Sequence, residues 1–462
     1  MTSLVPIAMF GWIPLGLSLF ALLPVRRAII AAYLVGWLFL PQAGYALSGL
    51  PDYTRMTAVN AVVLMGVLLF DSAGLRAFRP RIWDLPILVW VLCPFASSVA
   101  NGLGAYDGLS GVLEFTLTWG VPYLLGRTYF QSPETVRMLA IGVFIGGLIY
   151  MPLCIWEIRM SPQLHRIVYG FHPTKFHMTW RLGGYRPVVF MQHGIALGLW
   201  MAVTSMMGIW LWRARAVKSL SGIPTAWLAM PLLVTTVLCR SLGGLALLAL
   251  GLGVLLMIKL TRSGWPLLAF ALIPPLYVGV RATGVWHPHV LVNIANRIDA
   301  DRARSMQGRL DQEDVLTVKA WQRSVFGWGT YGRNRTLDDK GEWATRTDSL
   351  WIITFGQRGL VGLVSLGLLF VLPSFLLIRT LRGGSWSAAA AAPAVVLAVG
   401  TTMYAGDRLM NAMPNPVFYL MIGSVIGLAL SARKVSGPVR SLVRKPPASW
   451  SRRVATSVER YR

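Results

Sequence analysis

The chain reads as an all-α polytopic membrane protein, with about 12–13 transmembrane helices and one large structured external loop. Three observations carry that reading. Hydrophobic residues make up 55% of its 462 residues and charged residues only 13%, where a soluble domain carries about 25%. The apolar residues gather into blocks close to the roughly 20 residues that cross a hydrocarbon core of about 30 Å. One polar stretch, Gly284–Leu350, interrupts them and holds half of the 18 acidic residues.

In chain order the blocks are Leu4–Leu23, Ala28–Tyr45, Met56–Phe70, Leu85–Ala100, Leu109–Leu125, Met138–Trp156 and Val188–Trp212. After them come Pro224–Cys239, Leu242–Leu260, Trp265–Val280, Trp351–Leu377, Ala388–Tyr404 and Pro416–Ser431. All are expected to be helices, because lipid cannot satisfy exposed backbone N–H and C=O groups. Residues 1–283 then form one set of helices with an external loop at 157–187. Residues 284–350 form the large external loop, 351–431 the last helices, and 432–462 a basic tail. No cleavable signal peptide is expected, since no basic segment precedes the first block and that block is too long for a signal core. Cys93, Cys154 and Cys239 fall in three different blocks and suggest packing rather than a disulfide framework or a zinc site.

The connecting segments alternate in charge. Arg26 and Arg27, Arg76 to Arg81, Arg127, Arg213 to Lys218, Lys259 and Arg262, and Arg379 and Arg382 fall on one side, with the tail Arg433–Arg462. The positive-inside rule makes that side cytoplasmic. The tail of this +25 chain then suits anionic lipid headgroups rather than nucleic acid. Glu157–Pro187 and Gly284–Leu350 face outward. The first carries five basic residues and one acid, which fits either an anionic substrate at the outer surface or anionic lipid.

Within the large loop, Val290–Met306 is weakly helical, with Val290, Ile294, Ala295 and Ile298 on one face. Leu310–Arg323 is a better helix. Asp311, Glu313 and Asp314 crowd its first turn and Lys319 and Arg323 its last, which suits the macrodipole. Val315, Val318 and Trp321 are expected to face one partner. Gly308 and Arg309 stand just before this helix, where a phosphate could sit. The run Phe326-Gly-Trp-Gly-Thr-Tyr-Gly332 reads as a tight turn with close backbone approach, since no βαβ unit surrounds its glycines. Asp299-Ala-Asp301 is a short acidic pattern of the kind that arises by chance. No nucleotide P-loop, zinc-protease or serine-hydrolase motif occurs, so those readings lose their usual support. No internal repeat is visible, which disfavours transporters built from repeats.

Glu114 sits inside a span. An ionisable residue at membrane depth is a functional candidate, or the structural partner of an interior arginine. Arg240, in Cys239-Arg-Ser-Leu-Gly-Gly244, and Arg186, in Tyr185-Arg-Pro-Val, lie at span ends, where they could bind substrate or simply snorkel. His193 is either a packed polar residue or a site residue.

Taken in order from Arg186 to Gly362, these elements resemble the superfamily of O-antigen polymerases and O-antigen ligases, bacterial envelope glycosyltransferases. The pieces are Arg186-Pro, Arg240-Ser-Leu-Gly-Gly, Gly308-Arg309, Trp321 with Phe326-Gly-Trp-Gly329, and Asp348-Ser-Leu-Trp-Ile-Ile-Thr-Phe-Gly-Gln-Arg-Gly359-Leu-Val-Gly362. Where ligases of the superfamily place a His-Asn pair, this chain has Asp348-Ser349, which turns the expectation toward a polymerase.

The resemblance implies a glycan donor linked through diphosphate to a polyprenol, and a sugar hydroxyl as acceptor, at the outer face of a bacterial inner membrane. It implies membrane lipids and a chain-length regulator as further partners. Arg309, Arg186 and Arg240 fit as a metal-free, cofactor-free clamp on the diphosphate, because guanidinium matches phosphate geometry and charge builds on the leaving group. His193 and Glu114 are expected to help bind diphosphate or glycan. Asp348 is the candidate general base, with partial desolvation expected to strengthen it, unless it caps the following helix or pairs with an arginine. An O-antigen ligase that moves the glycan to a lipid A-core or other acceptor, and a flippase of the lipid-linked glycan, are the alternatives.

Overall fold

A computed structural model describes residues 2–47, 51–284, 286, 292–293, 296–297, 300–330, 332–337, 343–345, 348–381 and 383–435. The side chains of 300–302, 305, 383–384 and 433–435 are outside that description. The weak helical face at Val290, Ile294, Ala295 and Ile298, Asp299 of the acidic pattern, Arg382 and nearly all of the basic tail therefore lie outside the described residues.

The first half of the chain builds α1 (Leu4–Leu22), α2 (Val25–Phe39), α3 (Arg55–Phe70), the short α4 (Ser72–Arg76) and α5 (Leu85–Ala100). It continues with α6 (Ala105–Phe115), α7 (Val121–Tyr129), α8 (Pro133–Met160) and the short α9 (Leu164–Tyr169). After a small hairpin, Trp180–Arg181 against Gly184–Tyr185, come α10 (Gly194–Arg213), α11 (Thr225–Leu238), α12 (Leu242–Thr261) and α13 (Trp265–Ala282). The loop helix α14 (Ala300–Trp321) is followed by α15 (Leu350–Thr380), α16 (Ala392–Asp407) and α17 (Pro416–Val435).

Every expected apolar block contains helix. Among the described residues, seven helices are long and apolar enough to cross a membrane: α1, α5 with its entry turn, α8, α10, α12, α13 and α15. Three more, α3, α11 and α17, are apolar but shorter. Large apolar side chains such as Leu22, Leu69, Trp227, Leu260 and Trp265 are exposed, which is what a lipid-facing belt requires. The expected span Leu109–Leu125 is not one regular helix, since a π-turn at Thr116–Gly120 separates α6 from α7. Such π-turns concentrate at functional sites.

Packing follows local sequence. Ser132 caps α8 and Thr54 caps α3, each through a reciprocal bond with a threonine three residues on. α7 and α17 touch backbone to backbone: a Cβ at Gly126 would lie 2.1 Å from the Leu420 carbonyl oxygen, and one at Gly423 equally close to that of Tyr123. Small residues at a helix crossing allow this approach in lipid. α8 runs to Met160, so the first external loop starts later than the expected Glu157. Glu157 is buried, and its carboxylate accepts the backbone N–H groups of Val188, Val189 and Leu164 at 2.7, 2.8 and 3.0 Å.

The large loop departs from expectation in two ways. Its helix begins by Ala300 rather than Leu310, so Gly308 and Arg309 stand inside it and not before an N-terminus. An interior glycine costs about 1 kcal/mol, and tertiary anchoring offsets that. Second, Val315, Val318 and Trp321 are exposed. The buried face is instead Leu310, Glu313, Leu316, Thr317 and Ala320, which keeps helical spacing but includes a carboxylate. Glu313 is buried against Arg281 at 3.5 Å and accepts the Trp351 indole N–H at 3.2 Å. Burial pushes its carboxyl up from the ordinary range, and Arg281 opposes that shift. Trp321 adds a 2.7 Å bond to the Ala282 carbonyl. The loop helix is thus pinned to the end of α13 and the start of α15.

Candidate functional site

The end of α15 nearest the loop is broken. Gly359 has φ 62° and ψ −161° inside an otherwise helical run, a conformation open to glycine and strained for other residues. The break frees backbone groups that lipid could not satisfy, and the loop supplies their partners. Leu360 and Val361 donate to the carbonyls of Ser324 and Val325 at 2.6 and 3.2 Å, and Trp328 and Gly329 donate to those of Gly356 and Gln357 at 2.8 and 3.1 Å. The expected tight turn at Phe326-Gly-Trp-Gly329 therefore docks by backbone into the broken helix. A Cβ on Gly327 would lie 2.5 Å from the Gln357 carbonyl carbon, and one on Gly359 2.3 Å from the Val325 carbonyl oxygen. Ser97 of α5 bonds the Phe326 and Gln357 carbonyls together, and Asn101 takes that of Gly327 at 2.8 Å.

This joint fixes the residue before the break, Arg358. Its guanidinium lies 5.0 Å from the Phe115 ring. Its Nε is out of solvent without a hydrogen-bond partner, and no ion pair within 4 Å forms among the described residues. Arg358 lines a cavity of about 400 Å³ with Glu114, Asp348, Arg408, Gln357 and Trp119. Glu114, at the end of α6 beside the π-turn, shares this cavity with Arg358 without direct pairing among the described residues. The two interact through their charges, so Glu114 fits both a site residue and the electrostatic partner of an interior arginine. Arg408 is buried, bonded to Asp407 and to the Met413 carbonyl, and stacked 4.4 Å from Tyr404.

Asp348 lines this cavity, and Arg309, outside the lining, approaches it. Their closest atoms are 3.9 Å apart, and Arg309 also donates to the Met410 carbonyl at 3.3 Å. Asp348 is 71% exposed, so the desolvation expected to strengthen it is absent. Nor does it cap α15, whose N-cap residue is Ser349. Of the readings open to it, pairing with an arginine is the one present.

Arg186 and His193 stand close to each other. Arg186 is buried, donates to the Met178 carbonyl at 2.9 Å and packs against Gly194, where a Cβ would lie 2.6 Å from its Nε. The His193 Nδ1 accepts the Ile195 N–H at 3.1 Å and so caps α10. Burial first, then the charges of Arg186, Arg181 and Arg309, bring its pKa down to about 4. His193 is thus a neutral cap inside a cationic cluster. Arg240 is committed elsewhere: its guanidinium donates to the carbonyls of Arg181 and Leu182 and lies on Gly184. It holds the hairpin that carries Arg181, and its role as a direct clamp residue gains no support from these contacts.

The arrangement can hold an anion at Arg358 beside Glu114 and Asp348, with Arg309 reaching Asp348. Arg358 and Arg408 were not singled out from sequence. The signal for Arg358 was available, since it is a cation inside an apolar span. No motif marked Arg408. Comparisons with models of known protein families and with curated protein sequences gave no match.

Proposed function

We propose that this protein is an integral membrane glycosyltransferase that polymerises polyprenyl-diphosphate-linked glycan repeat units, of O-antigen or exopolysaccharide type, at the outer face of a bacterial inner membrane. The observation that carries the reading is the cavity lined by Arg358, Glu114 and Asp348, with Arg309 3.9 Å from Asp348. Guanidinium groups with free N–H donors suit a diphosphate. In the proposed step the acceptor hydroxyl oxygen attacks the anomeric carbon of the donor glycan. The bond from that carbon to the diphosphate oxygen breaks, and its electron pair leaves on the lipid diphosphate. The hydroxyl proton passes to the Asp348 carboxylate and on to water. Arg309 and Arg358 stabilise the charge that grows on the leaving group, Arg186 adds to the field, and Glu114 holds sugar hydroxyls.

The test is the size-resolved surface glycan profile of a deletion strain complemented with wild type or Arg309→Ala. A polymerase predicts glycans stopped at one repeat unit in both the deletion and the variant. Full-length chains left on the polyprenol carrier would favour an O-antigen ligase. An unchanged profile would sink both and favour a lipid-linked glycan flippase, for which the interrupted helix at Gly359 is the supporting feature.

A further inference from the structure

At the end of the bundle opposite the loop, where α2 begins and α3, α7 and α17 end, a cavity of about 760 Å³ is lined by Arg26, Arg27, Arg79, Arg81 and Arg127. We propose that this cavity is a binding site for a phosphate group, carried by an anionic lipid headgroup or by a free phosphate or diphosphate. It is separate from the site on the loop side and needs no part of the glycosyltransferase reading.

Three observations support it. First, the arginines arrive from separate segments, and most of their donors are unused. Arg26, Arg27 and Arg79 are exposed, and their side chains form no hydrogen bond or ion pair among the described residues. Arg127 is only 6% exposed; its Nε is held by Asp84 at 3.2 Å, while its two terminal nitrogens have no hydrogen-bond partner among the described residues. Arg81 spends one nitrogen on the Leu430 carbonyl at 3.2 Å. Asp71 is the one carboxylate in the lining, and its Oδ1 already accepts the Gly74 N–H at 3.1 Å. Second, Thr128 lines the same cavity and is 9% exposed. Its Oγ1 is shut off from solvent without a partner among the described residues, a cost that a ligand meeting it would remove. Third, Arg26 and Arg27 occupy the first turn of α2, which has no acidic residue and no side-chain cap. Cations there oppose the helix dipole, and a bound anion would remove the conflict.

The rule that basic residues collect on one side of a membrane accounts for scattered exposed arginines. It does not account for their convergence on a concavity with a buried, unpartnered hydroxyl. Leu22, Phe70 and Ile82, close in sequence to the lining residues, are exposed apolar side chains, so acyl chains have a surface to follow.

The test uses the full chain in detergent, with phosphatidylglycerol, phosphatidylcholine and inorganic pyrophosphate as probes. Native mass spectrometry reads lipid adducts and calorimetry reads pyrophosphate. Retention of phosphatidylglycerol over phosphatidylcholine, undisturbed by millimolar pyrophosphate, supports the site and assigns it to a lipid. Pyrophosphate binding without lipid preference supports it and assigns it to a free ion. In either case Arg26→Gln/Arg79→Gln should lose at least about tenfold in affinity, the equivalent of one charge-assisted hydrogen bond. Thr128→Val, which keeps the shape, should lose less. Equal retention of both lipids with no pyrophosphate heat would overturn the proposal. So would unchanged binding in a double variant that elutes and melts like wild type.

Discussion

Arg281 and Arg358 both sit where an apolar helix meets the large loop, and both are largely out of solvent, yet they are used in opposite ways. Arg281 closes α13 with both terminal nitrogens engaged: Asp314 at 2.8 Å, Glu313 at 3.5 Å, and the carbonyls of Leu310 and Trp286. Arg358 has a phenylalanine ring and a cavity. A buried charge without a partner is costly. A saturated guanidinium holds the fold together, and an unsaturated one facing a cavity is kept at the expense of stability for something that binds there. The contrast assigns structure to the first region and ligand contact to the second.

The largest expected effect breaks the first region. Arg281→Ala would leave Glu313 buried with its counter-charge gone, a change that costs about 3–5 kcal/mol. The loop helix should undock, seen as a large fall in melting temperature and as new protease cleavage between residues 300 and 321. A melting curve like that of wild type would show that Arg281 is not the anchor. Replacing the pair together by Arg281→Met and Glu313→Leu should restore most of the lost stability, because no stranded charge remains.

The second effect separates the two regions. Arg358→Ala removes a cation with no ion pair within 4 Å among the described residues and one ring contact, with Phe115, so melting should change far less than in Arg281→Ala. Under the proposed function, glycan transfer should fall about 10²–10³-fold, as when one donor to a developing charge is lost. Stability falling as far as in Arg281→Ala, with transfer intact, would place Arg358 in the structural class and remove it from the site.

This pair also shows where sequence reasoning reaches its limit. The helical membrane fold was legible because apolar blocks of the right length leave the chain few other options. Asp348 and Arg309 could be selected as candidates from their places in an ordered set of short motifs, and they meet. The misplaced helix start at Leu310 has a physical cause: glycine at 308 reads as a terminus, whereas tertiary bonds at Glu313 and Trp321 carry the helix through it. The face of that helix was misread because hydrophobic periodicity gives no weight to a buried carboxylate. Arg240 lay at the right span end, but no local pattern shows that the 180–185 hairpin takes up its guanidinium. The break at Gly359 was hidden in an apolar run, and only the docking of Phe326–Gly329 makes it visible.

The smallest expected effect concerns pH. His193 is neutral because burial and neighbouring arginines hold its pKa at about 4, below an unfolded value near 6.5. The unfolded chain therefore takes up a proton that the folded chain refuses between those two values. The stability this cap contributes is complete above about pH 6.5, declines as pH falls toward 4, and changes no further below that. The physical event is loss of the Nδ1 acceptor for the Ile195 N–H. His193→Asn keeps a side-chain acceptor at the start of α10 and removes the titration. Its melting temperature should match wild type near neutrality and fall less between pH 6.5 and 4. His165, also brought down to about 4 by burial, remains in the variant, so the slope should shrink rather than vanish. An unchanged slope would mean that His193 does not titrate with folding, and glycan transfer with a step near pH 6.5 that His193→Asn abolishes would turn it from a neutral cap into a participant in proton transfer.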